Sequence, residues 1–126
     1  FTVVNDAYNA NPQSVEAALR TVVEMAESRS IAVLGPMAVL GSVCEAEHRR
    51  IGALAERLGV DHLIVVGVDL GYGLGARTIT RNAADLEEAA DTLHAIVEPG
   101  DVVLVKASRA AGLERLALAL AEDAAP

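Results

Sequence analysis

Two short polar stretches carry most of the side chains in this chain that could handle a ligand. The first is Asn5-Asp6-Ala7-Tyr8-Asn9-Ala10-Asn11-Pro12-Gln13-Ser14, which follows the apolar run Thr2-Val3-Val4 and leads into an amphipathic run. In an open α/β sheet, ligands bind in the crevice at the carboxyl ends of the strands, so a strand-to-helix turn rich in amides is a candidate ligand loop. The same residue types are ordinary turn and cap formers, and both readings stand at this level. The second stretch is Lys106-Ala107-Ser108-Arg109, at the carboxyl end of another apolar run and directly before a helix. Ser108 can cap that helix, and free N–H groups beside Lys106 and Arg109 make an anion-binding corner. The plainer alternative is two basic residues flanking a cap. Lys106 is the only lysine in a chain of net charge -8.

Other constellations are weaker. Gly71, Gly73 and Gly75 have the spacing of a dinucleotide fingerprint, but they lead into Arg77-Thr78-Ile79-Thr80 and not into a long helix. A pyrophosphate needs the amino terminus of such a helix, so residues 67–76 are expected to form a surface loop. With no Gly-x-x-x-x-Gly-Lys-Ser/Thr run, the chain lacks the usual grip on β- and γ-phosphates. His48, His62 and His94 are scattered, and Glu45 with His48 reads as a solvated helix edge, so no metal site is expected.

The elements that must position these residues follow from periodicity. Short strands are predicted at 2–4, 30–34, 62–66, 77–80 and 102–105, where Val, Ile and Leu cluster. Apolar residues at helical spacing predict helices over 12–28, from about 42 to 58, after 82, and through Leu113, Leu116, Ala117 and Leu120. Asn11 with Pro12, Ser42 with Glu45, and Asn82 are the expected helix starts, and Gly59 is an expected stop. The alternation defines an α/β class: a three-layer, Rossmann-like, mostly parallel sheet of about five to six strands with helices on both faces.

Composition bounds the rest. At 126 residues the chain fits one domain, spanning 1–126, with an aliphatic core containing one Phe, two Tyr and no Trp. The net charge of -8 argues against a nucleic-acid partner. No apolar run is long enough for a membrane span, and the single Cys44 suits a reducing, cytoplasmic setting. Phe1 in place of Met leads to the expectation that the chain was cut from something longer.

Asp6-Ala7-Tyr8-Asn9-Ala10-Asn11-Pro12-Gln13-Ser14 resembles the Asp-Ser-Tyr-Asn-Ala-Asn-Pro-Asp-Ser signature of the MurF branch of the Mur ligases. Ala32-Val33-Leu34-Gly35 with Met37, Leu40, Gly41, His48 and Gly52 is similar to that family's Ala-Val-Leu-Gly-Asp-Met…Leu-Gly…His…Gly run. Lys106-Ala107-Ser108-Arg109 with Glu114 is similar to its Lys-Gly-Ser-Arg…Glu element. The resemblance implies the C-terminal domain of an ATP-dependent peptidoglycan-precursor ligase. Such a ligase adds D-alanyl-D-alanine to UDP-MurNAc-tripeptide through an acyl phosphate. ATP and Mg2+ would be held mainly by a central domain, and the UDP-sugar by an N-terminal domain. Both would be this chain's partners, and the chain alone would be inactive.

Carried over by position, Asp6, Tyr8, Asn9 and Asn11 become nucleotide contacts, since amides and a carboxylate suit ribose hydroxyls and base edges and Tyr8 can stack. Lys106, Ser108 and Arg109 become substrate contacts. No catalytic residue or metal ligand is assigned. Three departures stand out: Pro36 for an acidic residue, Ala7 for Ser and Ala107 for Gly. They leave open a second class, a free-standing, non-catalytic α/β ligand-binding module. The glycine-rich 67–76 segment has no counterpart in the family pattern.

Overall fold

The short aliphatic blocks assemble into one parallel sheet. The computed structural model describes residues 1–6, 10–39, 41–107 and 113–124. Its strands are β1 (Thr2–Asp6), β2 (Ser30–Leu34), β3 (His62–Val66), β4 (Thr80–Ala83) and β5 (Val102–Lys106). They lie in the order β1-β5-β2-β3-β4, with every pairing parallel. The helices are α1 (Pro12–Met25), α2 (Cys44–Leu58), α3 (Tyr72–Gly75), α4 (Leu86–Ile96) and α5 (Glu114–Ala124).

Side-chain alternation along each strand divides the core into two layers. Ala32, Leu34, Leu63, Val65, Val102 and Leu104 point to one face, where Val15, Leu19 and Val22 of α1 and Ile51, Leu54 and Ala55 of α2 cover them. Ile31, Val33, Ile64, Val66, Val103 and Val105 point to the other, under Ala89 and Leu93 of α4 and Leu113, Leu116, Ala117 and Leu120 around α5. Strands β2 and β5 are buried along their whole length, as central strands covered on both sides must be.

This order creates a topological switch. Strands β1 and β2 lead into α1 and α2 on one face, while β5, lying between them, leads towards α5 on the other. Connections that diverge from neighbouring strands open a crevice at their carboxyl ends.

Several local expectations are corrected. Helix α1 ends at Met25, with Ala26 as its C-cap, and not at 28. The Ser42–Glu45 capping box does not form: the chain enters through a 3-10 turn over Gly41–Val43, and α2 starts at Cys44 with no side-chain cap. The fourth strand is Thr80–Ala83 instead of 77–80, since its register against β3 begins with Leu63 opposite Thr80. Asp85, not Asn82, caps α4, its Oδ1 accepting from the Glu88 N–H at 2.9 Å. The Glu88 carboxylate accepts in return from the Ala84 N–H at 3.1 Å. Gly59 closes α2 with φ +92°, as expected.

The glycine-rich segment is not an open loop. A Cβ on Gly75 would stand 2.1 Å from the Arg49 carbonyl, and one on Gly52 would stand 2.1 Å from the Tyr72 carbonyl. Glycine on both sides therefore lets α3 lie against the backbone of α2.

The amino-terminal edge of the sheet is tied by a polar clamp. Arg29 binds Asp101 in bidentate fashion, Nε to Oδ1 at 3.2 Å and Nη2 to Oδ2 at 2.8 Å. Its Nη2 also reaches the Ile96 carbonyl at 2.6 Å, and Nη1 lies 3.4 Å from His62 Nε2. The guanidinium holds the fully buried Asp101 carboxyl below the usual carboxylate range, and that bond raises Arg29 in turn. Desolvation, with Arg29 and Arg81 nearby, pushes the His62 imidazole down.

Candidate functional site

The crevice brings together the two stretches that the sequence singles out. Asp6 ends β1, Lys106 ends β5, and the two are register partners in the sheet. Lys106 Nζ donates to Asp6 Oδ2 at 2.6 Å, across 100 residues of sequence. The lysine side chain is 1% exposed and the aspartate 46%. A buried ammonium needs polar partners, and one of them, the Asp6 carboxylate, is half exposed.

Asn11 has a structural duty that fits its place at the same edge. Its Oδ1 accepts from the Ser14 N–H at 2.9 Å, and Ser14 Oγ accepts from the Asn11 N–H at 3.1 Å, forming a reciprocal cap before Pro12. The cap uses the amide oxygen and makes no demand on the Nδ2 hydrogens. Tyr8, Asn9, Ser108 and Arg109 lie outside the described residues, as does Leu40.

The β2–α2 connection forms the floor between these groups. The Gly35 N–H donates to the Lys106 carbonyl at 3.0 Å, and the Ala38 N–H donates to the Ala10 carbonyl at 2.8 Å. Irregular buried backbone must satisfy its polar groups, and these bonds join the connections after β1, β2 and β5. Pro36 replaces an acceptor, yet the amides on either side are satisfied without one. Ala107 is buried against the α5 layer, and no described non-glycine residue has a positive φ. The family glycine at that position is therefore not needed for backbone reasons here.

Two side chains that sequence reasoning misjudged or missed reach this floor. His48 is fully buried and is no solvated edge. Its Nε2 accepts from the Met37 N–H at 3.0 Å, and Nδ1 lies 2.7 Å from the Cys44 carbonyl. With an amide donating to Nε2, the ring proton sits on Nδ1 and goes to Cys44. Tyr72, 1% exposed, donates its hydroxyl to the Gly35 carbonyl at 2.9 Å. Its ring meets His48 edge-on, with centroids 4.9 Å apart. Burial pushes the Tyr72 phenol well up, so it stays a donor. His48 carried a signal in the family-like run, whereas Tyr72 carried none.

A cleft of about 580 Å3 opens at the carboxyl ends of β2 and β3, lined by Pro36, Val66, Gly67, Leu86, Leu113 and Arg115 among others. A larger one of about 900 Å3 lies between the start of α2 and the β3–β4 connection, with Glu45, Asp69, Arg77 and Thr80 in its walls. Neither cleft includes a residue of the two polar stretches, so volume does not mark the site. Among the described residues no group of three His, Cys, Asp or Glu side chains comes together to hold a metal ion. No helix among them is long and apolar enough to cross a membrane.

An all-parallel sheet with a polar crevice at its switch point defines the class, and the chain belongs to the Mur ligase family. The family's profile for "Mur ligase, glutamate ligase domain" matches residues 1–109. The chain is 44% identical to the UDP-N-acetylmuramoyl-tripeptide–D-alanyl-D-alanine ligase of Mycobacterium tuberculosis (strain CDC 1551 / Oshkosh), over 97% of this chain and 29% of that protein. It is 33% identical to the ligase of the same name from Escherichia coli K12, over 96% of this chain and 27% of that one. Among solved structures, the MurF ligase from Thermotoga maritima in complex with ADP aligns with a TM-score of 0.75 and 31% identity. That match covers 96% of this chain and 28% of the other. MurF from Acinetobacter baumannii aligns with a TM-score of 0.80 and 28% identity, covering 92% and 26%. The chain thus spans less than a third of the length of these relatives.

Proposed function

We propose that this chain is the C-terminal domain, spanning residues 1–126, of a cytoplasmic ATP-dependent ligase that adds D-alanyl-D-alanine to UDP-MurNAc-tripeptide. It works with a UDP-sugar-binding domain and a central nucleotide-binding domain, and is inactive alone. The observation that carries this reading is the meeting of two family-like motifs at Asp6 and Lys106, joined at 2.6 Å in the switch-point crevice. ATP, with Mg2+ on its phosphates, would supply the phosphoryl group that activates the tripeptide carboxylate.

The chain's own residues then bind and orient. Asp6 offers a half-exposed carboxylate to ribose hydroxyls, while Tyr8, Asn9 and Asn11 supply a stacking face and amide donors. Lys106, expected as a substrate contact, is 1% exposed with its ammonium on Asp6, and so acts by fixing that carboxylate. Ser108 and Arg109 contact the dipeptide.

Arg109→Ala in the full-length ligase tests the assignment. The KM for D-alanyl-D-alanine is expected to rise; an unchanged value makes Arg109 structural. Substantial ATP turnover by the isolated chain would count against the whole reading. Nucleotide binding without any ligation by the full-length protein would favour the binding module.

A further inference from the structure

We propose that His48 and Tyr72 are positioning residues for the crevice, acting through the backbone of residues 35–38; this rests on the ligase reading above. Both side chains are buried in the α1–α2 layer, where aliphatic residues would fill the same space. Their polar atoms do something an aliphatic residue cannot. The Tyr72 hydroxyl fixes the Gly35 carbonyl, and His48 Nε2 fixes the Met37 amide. The flanking groups of the same four residues make the bonds to Lys106 and Ala10. A shift of this connection therefore moves the backbone bonded to Lys106 and the end of the loop that begins at Asp6.

The glycine-rich segment becomes intelligible in these terms. A Cβ on Gly71 would stand 2.7 Å from the Glu45 carbonyl and 3.2 Å from His48 Cβ. With Gly52 and Gly75 equally constrained, the close approach of α3 to α2 sets the Tyr72 ring against His48 and carries its hydroxyl to Gly35. A segment on the β3–β4 side of the sheet thereby acts on a crevice three strands away, between β1 and β5.

The test uses the full-length ligase with Tyr72→Phe, His48→Leu and His48→Gln, measuring kcat and the KM of each substrate. Tyr72→Phe removes one hydrogen bond and is expected to raise KM for ATP or the dipeptide about three- to tenfold. His48→Leu is expected to raise it further, and His48→Gln, which can still accept from Met37, to recover much of the loss. KM for UDP-MurNAc-tripeptide stays unchanged, because that substrate is held elsewhere. A fall in kcat with every KM unchanged overturns the proposal, since a smaller folded fraction does just that. Amide hydrogen exchange at Gly35, Met37 and Ala38 supplies a readout independent of activity. Faster exchange in Tyr72→Phe supports the link, and unchanged exchange overturns it. If the wild-type enzyme makes no peptide bond, the ligase reading fails, and the exchange data still decide whether these side chains hold the connection.

Discussion

Asp6 and Lys106 face each other as register partners at the ends of β1 and β5, yet only the lysine is buried. The two members of this pair are therefore unequal. Removing the exposed partner takes a carboxylate away from a buried ammonium, whereas removing the lysine leaves Asp6 to water. Asp6→Ala is expected to cost about 2 kcal/mol of stability, and Lys106→Met less than about 1 kcal/mol. Urea unfolding of the two variants measures the difference; equal losses would show that the pair is not asymmetric.

At the opposite edge, Asp101 is fully buried and doubly bonded to Arg29, which is 28% exposed. Asp101→Ala is expected to destabilise by about 3 kcal/mol, because it leaves the guanidinium and the Glu98 amide short of an acceptor. The folded-state value of this carboxyl is depressed, so its stabilisation is present above the unfolded value of about 3.9 and is lost as pH falls through the folded one. A denaturation series below pH 4 in wild type and Asp101→Asn would reveal that loss.

His62 gives a second pH window with the same direction. Its folded-state value lies below the ordinary one because of desolvation and the positive charges of Arg29 and Arg81, against weaker opposition from Asp61 and Asp101. The unfolded chain therefore takes up the proton first. Stability is expected to fall as pH drops from about 6.5 towards the lower folded-state value. His62→Gln should flatten that part of the curve, and an unaltered slope would assign it to other groups.

The glycines separate two kinds of constraint. Gly59 has φ +92° but open space within 4 Å of where a methyl would lie, so Gly59→Ala carries only the left-handed backbone penalty of about 1 kcal/mol. Gly75→Ala would press on the Arg49 carbonyl and the Ala53 amide, neither of which can rotate away. A loss of about 3 kcal/mol is expected there. Thermal melts of the two variants should differ by several degrees.

Periodicity made the helices legible because each buries a stripe whose spacing is written locally: Val15, Leu19 and Val22, or Leu116, Ala117 and Leu120. The two polar stretches were also legible, and the fold brings Asp6 and Lys106 together. What could not be read locally depends on distant partners. His48 looks like a surface residue until the Met37 amide, eleven positions earlier, folds over it. Glycine spacing alone cannot distinguish an open loop from close backbone contact, since the contact is with α2. The fourth strand was displaced because an edge strand pairs on one side only, and β3 sets its register. Ser42 and Glu45 have the right spacing, but the 3-10 turn postpones the helix past the point where the box could close.

The strand order also governs when the domain can form during synthesis. Among the described residues, strand β1 pairs with β5 alone, and β5 separates it from β2. While the chain is emerging, the first strand has no native neighbour until residues 102–106 leave the ribosome. The half-sheet of β2, β3 and β4 can assemble earlier with α1 packed on α2, but Asp6 has no strand beside it. The crevice is therefore completed last, and a nascent chain halted before Val102 would contain the whole first motif without the Asp6–Lys106 pair.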